Sequence, residues 1–124
     1  MDVDKQIAAL QADLNAARHV TYLTGAGVST PSHIPDYRSK NGIYNGISES
    51  PEQILSEETL FHQPAKFHYF VMENMYFPDA KPNIIHQKIA ASCNKNGTLI
   101  TQNVDGFDKK AGNKHVIEFH GNLY

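Results

Sequence analysis

A chain of 124 residues, 40 % apolar and 19 % charged, carries enough apolar material for one small folded domain and too much for wholesale disorder. Its net charge of −2 and pI of about 6.4, with no basic run, argue against nucleic acid or an anionic membrane as partner. No apolar stretch approaches the roughly 18 residues of a membrane span, and the single cysteine, Cys93, excludes an internal disulfide or a cysteine-cluster metal site within the chain and favours a cytoplasmic setting.

The first element is a helix over residues 4–18, where Ile7, Leu10 and Leu14 recur at spacings of three and four. Val20-Thr21-Tyr22-Leu23-Thr24 follows as a short buried strand ending at Gly25. Residues 31–51 hold three prolines, two glycines and several Ser and Asn, which predicts a long loop. Helical spacing returns over residues 51–75, with a short turn starting at Ser56 and a stripe of Phe67, Phe70, Val71 and Met75. Pro82 suits the first turn of a helix over residues 83–94, with Ile85, Ile89 and Ala90 inward and Asn96-Gly97 after it. Thr98-Leu99-Ile100-Thr101 is a second buried strand, residues 102–112 a polar loop with one helical turn, and Val116-Ile117-Glu118-Phe119 a third strand. Cys93 reads as a small buried apolar residue rather than a nucleophile.

Three apolar strands separated by helices predict an α/β fold: a parallel, doubly wound, Rossmann-like sheet. Ligands of such sheets sit at the carboxyl ends of the strands. The three strand ends are followed by Gly25-Ala26-Gly27, Gln102-Asn103-Val104-Asp105 and His120-Gly121, so all three clusters belong on one rim. Gly25-x-Gly27 resembles the start of a dinucleotide fingerprint. Thr30 stands where its third glycine belongs, and no acid-terminated strand follows about 20 residues on, which argues against hydride transfer. The loop continues as Ile34-Pro35-Asp36-Tyr37-Arg38, in which Arg38 can fork onto a pyrophosphate and Tyr37 can cover a ribose or base. Asp36 and Arg38 could equally form a surface pair.

The run from Gly25 to Ser39 resembles the cofactor loop of the sirtuins, the NAD-dependent protein lysine deacylases, whose pattern there is G-A-G-x-S-x-x-S-G-I-P-D-F-R-S. His33 replaces a glycine and Tyr37 a phenylalanine. Thr101-Gln102-Asn103-Val104-Asp105-Gly106 is similar to the family's T-Q-N-I-D-G, and Lys110-Ala111-Gly112 to the motif after it. Val116 to Gly121 resembles the strand leading into the family's His-Gly, and Pro82-Asn83 with His86 fits the helix before the second strand.

The resemblance implies transfer of an acyl group from lysine to ADP-ribose with release of nicotinamide. It implies a cofactor set of Gly25, Ala26, Gly27, Ser29, Pro35, Asp36, Tyr37, Arg38, Gln102, Asn103, Val104, Asp105 and His120. Within it Asp105 would grip the nicotinamide amide, Asn103 a ribose or water, Gln102 a ribose hydroxyl, and Tyr37 would shield the anomeric carbon. His120 would be the base, a role suited to imidazole. Ser29 and Asp36 would brace the loop, and His86 would be structural. His19, His62, His68 and His115 read as surface or helix-flank residues.

The implied partner is an acyl-lysine protein or peptide. Relatives that prefer acidic acyl groups carry a Tyr and an Arg three apart downstream of the glycine loop; no arginine follows Arg38, so an acetyl or other short uncharged group is expected. The alternatives are an ADP-ribosyltransferase or NAD hydrolase on the same scaffold, or a catalytically incomplete nucleotide-binding module. The family core is about twice this length and carries a four-cysteine zinc module after its His-Gly. Residues 1–124 are therefore expected to be the N-terminal portion of one NAD-binding domain, with no zinc ligands, an apolar sheet edge left exposed and a small core of marginal stability.

Overall fold

A computed structural model describes residues 2–36 and 49–124. Helix α1 spans Val3–Ala16 and is capped by the Asp2 carboxylate, which accepts from the Asp4 amide. Strand β1 (Val20–Thr24) runs into a 3₁₀-helix at Ala26–Ser32. Helices α2 (Pro51–Ile54), α3 (Glu57–His62) and α4 (Pro64–Asn74) follow. Then come α5 (Ile84–Asn96), β2 (Gly97–Thr101), α6 (Phe107–Lys110) and β3 (Val116–Glu118). The sheet is parallel with order β1-β2-β3, as the alternation of strands and helices predicts.

Register divides the sheet into two faces. Tyr22, Leu99 and Val116 lie abreast on one, and Leu23, Ile100 and Ile117 on the other. Helix α5 covers the first, its Ser92 hydroxyl 2.7 Å from that of Tyr22. Ala90, Cys93, Leu99 and Phe107 are buried there. Burial pushes the Cys93 thiol up, so it stays protonated and packs as an apolar group. The second face is uncovered among the described residues: Leu23 is 70 % and Ile117 53 % exposed. The stripe on α1 is likewise uncovered, since Ile7 and Leu10 lie in solvent. The expectation of a fully buried β1 therefore fails at Leu23, because the covering helix sits on one face only.

The helices α2, α3 and α4 form a second cluster, centred on buried Ile54 and Phe70 with Leu55 and Met75 against them. Ser56 caps α3, accepting from the Thr59 amide at 3.1 Å. The strand-end loops face this cluster, and the candidate site lies between the two.

Gly97 sits at the start of β2, one residue before the strand expected from sequence. A Cβ there would stand 2.6 Å from the Val20 carbonyl oxygen and 3.3 Å from the Cys93 Cα. Both neighbours are backbone and cannot step aside. Gly97→Ala should lower the unfolding free energy by about 1–3 kcal/mol, read by urea denaturation.

Candidate active site

All three strands end on the same rim, and backbone bonds tie those ends together. The Gln102 amide donates to the Thr24 carbonyl at 3.0 Å, and the Phe119 amide to the Thr101 carbonyl at 3.0 Å. The glycine turn after β1 is locked from two sides. The Asn103 side-chain amide donates to the Gly25 carbonyl at 2.9 Å. Asn83 Nδ2 donates to the Val28 carbonyl at 2.8 Å and the Ser32 hydroxyl at 2.9 Å. Asn83 is also the N-cap of α5, so one side chain starts that helix and clamps the loop. A Cβ at Gly25 or Gly27 would meet nothing within 4 Å, so their outer side is open to a ligand.

The left-handed conformation that a family glycine would adopt is held by His33, at φ +66°. For a non-glycine residue this costs about 1–2 kcal/mol. The His33 amide still bonds back to the Thr30 carbonyl at 3.0 Å, closing the 3₁₀-helix.

At the centre is Asp105, buried at the end of the β2 loop. Its Oδ1 accepts from the Phe107 amide at 3.0 Å, an arrangement reached through left-handed Gly106. Its Oδ2 accepts from the Ser29 hydroxyl at 2.6 Å. Each carboxylate oxygen thus holds one hydrogen bond and keeps capacity for another. Asn103 Nδ2 approaches the Ser29 hydroxyl at 3.4 Å and His86 Nε2 approaches it at 3.3 Å. Serine stands between histidine and aspartate, which is the wrong order for a nucleophilic triad, where histidine must lie between them. The group is built to present a carboxylate, not to activate a hydroxyl.

Asp105, Ser29 and Asn103 floor a cavity of about 50 Å³ whose walls include Ala26, Ile34, Pro35 and Val104, with Gln102 at its edge. Asp105 also borders a larger cavity of about 310 Å³ lined by Phe77, Phe107, Lys110 and Tyr124. His120 is exposed just past β3, its ring edge-on to Phe119 at 5.1 Å, and lines neither cavity. Asp36 is half-buried and follows Pro35 in the chain but does not line the small cavity. Tyr37 and Arg38 lie outside the described residues. The structure therefore gathers Ala26, Ser29, Pro35, Gln102, Asn103, Val104 and Asp105, and leaves His120 on the same rim but apart from them.

Two buried groups beside the site make contacts that the sequence does not give: His86, expected to be structural, and Asp108. His86 is 1 % exposed, with burial holding its pKa below the usual histidine range and the Asp105 charge partly opposing that. Its hydrophobic-helix setting gave no sign that it reaches Asp105 through Ser29. Asp108 is buried, its Oδ1 without a hydrogen-bond partner among the described residues. Burial first, then the charges of Asp105 and Glu118, push its pKa up to about 6, against a smaller lowering by its own backbone amide. Among the described residues no three His, Cys, Asp or Glu side chains converge on a metal position. With one cysteine, the chain offers no four-cysteine zinc donor set.

A parallel α/β sheet with a glycine turn and a buried carboxylate on its carboxyl rim defines a Rossmann-like protein. The Sir2 family model matches residues 25–124, and the chain belongs to that family. It is 58 % identical over 116 residues to an NAD-dependent protein deacetylase of Listeria innocua, covering 93 % of this chain and 50 % of that protein. It is 51 % identical over 112 residues to one of Enterococcus faecalis, covering 90 % and 46 %. A Sir2 structure with deacetylated p53 peptide and 3′-O-acetyl ADP ribose superposes with TM-score 0.84 at 38 % identity, covering 94 % of this chain and 48 % of that one. A Sir2 structure with p53 peptide and NAD+ gives 0.79 at 36 %, covering 94 % and 46 %. The chain spans about half the length of the curated relatives it matches.

Proposed function

We propose that residues 1–124 form the N-terminal portion of the catalytic domain of an NAD-dependent protein lysine deacylase, carrying the nicotinamide and ribose side of the cleft. The observation that carries this reading is buried Asp105, held at both oxygens and facing a small cavity beside an open glycine turn. The relatives' names, and the NAD and p53 peptide of a Sir2 structure 36 % identical to this chain, support the same assignment.

NAD bound here would supply a nicotinamide leaving group and an anomeric carbon that accepts the acyl oxygen of a modified lysine. Asp105 accepts the nicotinamide carboxamide N–H and fixes the ring's orientation. Asn103, held by the Gly25 carbonyl, positions a ribose hydroxyl or water, and Gln102 at the cavity edge a second hydroxyl. The outer faces of Ala26 and Gly27, with Arg38, receive the phosphates. Tyr37 excludes water from the anomeric carbon. His120 takes the proton from a ribose hydroxyl, and its exposed position on the rim leaves room for that group. Ser29 and Asp36 hold the loop. The substrate is an acyl-lysine protein or peptide with a short uncharged acyl group, and the free thiol of Cys93 supports a cytoplasmic setting.

Incubating the protein with NAD and an acetyl-lysine peptide, and reading products by mass spectrometry, tests this. Deacetylated peptide with O-acetyl-ADP-ribose is expected, and its loss in His120→Ala with NAD binding retained supports the base. ADP-ribosylated protein or free ADP-ribose without deacetylation would overturn the deacylase assignment.

A further inference from the structure

The contacts of His86 reach further than a helix cap requires. The Asn83 backbone N–H donates to His86 Nδ1 at 3.1 Å. Nδ1 is therefore an acceptor, and in a neutral imidazole the single proton must sit on Nε2. Nε2 lies 3.3 Å from the Ser29 hydroxyl oxygen. With Nε2–H and Asn103 Nδ2–H both directed at that oxygen, the Ser29 proton has one remaining acceptor, Asp105 Oδ2 at 2.6 Å. The direction of every bond is fixed by a backbone amide two side chains away from the carboxylate.

We propose that His86 is a positioning residue for the nicotinamide site, acting through Ser29 to hold the Asp105 carboxylate in its binding orientation. The inference rests on the assignment of Asp105 to the nicotinamide amide and adds the residues that keep Asp105 an acceptor. Without the Nε2–H, the Ser29 oxygen loses one of the two donors that direct its proton onto Asp105 Oδ2, and the orientation of that bond is less firmly set. The surroundings favour the neutral tautomer. The Phe107 ring stands edge-on to the imidazole at 5.3 Å and the ring is buried, and burial outweighs the Asp105 charge, which acts in the opposite direction. Protonation at Nδ1 would set two N–H groups against each other at Asn83.

Two measurements test it. The first is a ¹⁵N–¹H long-range correlation spectrum of the imidazole at pH 6.5, where a histidine in water is about half protonated. A protonated Nε2 with a bare Nδ1 is expected; the opposite tautomer or an imidazolium would overturn the proposal. The second is nicotinamide and NAD affinity by calorimetry across four variants. His86→Phe keeps a ring against Phe107 but has no donor, and should weaken binding about tenfold, the size of one lost hydrogen bond. Ser29→Ala should do the same, and the double variant should be no weaker than Ser29→Ala alone. His86→Gln puts an amide N–H where Nε2 stands and should restore binding to within about threefold. Additive losses, or His86→Gln as weak as His86→Phe, would overturn the relay. Wild-type binding that His86→Phe leaves unchanged overturns this inference alone. Absence of nicotinamide and NAD binding in the wild type overturns the functional reading, and the positioning role with it.

Discussion

Asp108→Asn is expected to stabilise the fold at neutral pH and to remove a pH dependence that the wild type carries. The carboxyl is buried beside Asp105 and Glu118, and its pKa is pushed from 3.8 up to about 6. Between those values the folded state binds more protons at this position than the unfolded state does. Its contribution therefore makes stability fall as pH rises from about 4 to about 6, and the full cost is present at pH 7. A shift of this size corresponds to about 2–3 kcal/mol. An amide has no charge to desolvate, although it still needs partners in the same place, so a net gain of about 1–2 kcal/mol at pH 7 is expected. His86 contributes with the opposite sign. Its pKa is lowered from 6.5, so its share of stability is lost as pH falls below that value. The difference between wild type and Asp108→Asn, read by urea denaturation at pH 4, 5, 6 and 7, isolates the Asp108 term. A difference that does not grow with pH would refute the assignment.

Under the proposed function, Asp105→Asn should abolish most of the turnover while changing the side chain's shape very little. The carboxylate has two donors to satisfy, the Ser29 hydroxyl and the Phe107 amide. An asparagine has one oxygen, so whichever way it turns, one of those donors faces an N–H group. The same conflict extends to the nicotinamide carboxamide, which would meet a donor or a neutral acceptor in place of a charged one. Hydrogen bonds to charged groups are worth about 1.5–3 kcal/mol, so a loss on the order of 100-fold in kcat/KM is expected. Nicotinamide affinity should fall alongside it, which separates this effect from removal of the proposed base, His120. Steady-state kinetics with circular dichroism as a check on folding measures it.

Much of the architecture was legible because local signals and tertiary packing agree. The strands at residues 20–24 and 98–101 stand out as apolar runs, and each is followed by a loop rich in residues that cannot continue a strand. The parallel rim followed from element order alone. Boundaries moved where a single residue has two roles: Asn83 is a cap rather than a first helical residue, and Gly97 belongs to β2 because only glycine fits beneath the Val20 carbonyl. Residue 23 could not be read correctly from the strand pattern. Leucine there signals burial, and whether it is covered depends on which helices reach its face. Within the site, Asp105 and Asn103 were legible from their motif, but the link to His86 was not. Residues 29, 86 and 105 are far apart in sequence, and only the docking of α5 against the 3₁₀-helix brings them together.

Under the proposed function the small cavity over Asp105 receives the nicotinamide amide. The most direct measurement is a nicotinamide titration of the ¹⁵N-labelled protein, following backbone amide shifts. Saturable shifts concentrated at Ala26, Ser29, Asn103 and Phe107 are predicted, and they should vanish in Asp105→Asn. Shifts confined to Phe77, Lys110 and Asn122, around the larger cavity on the other side of Asp105, would contradict the account.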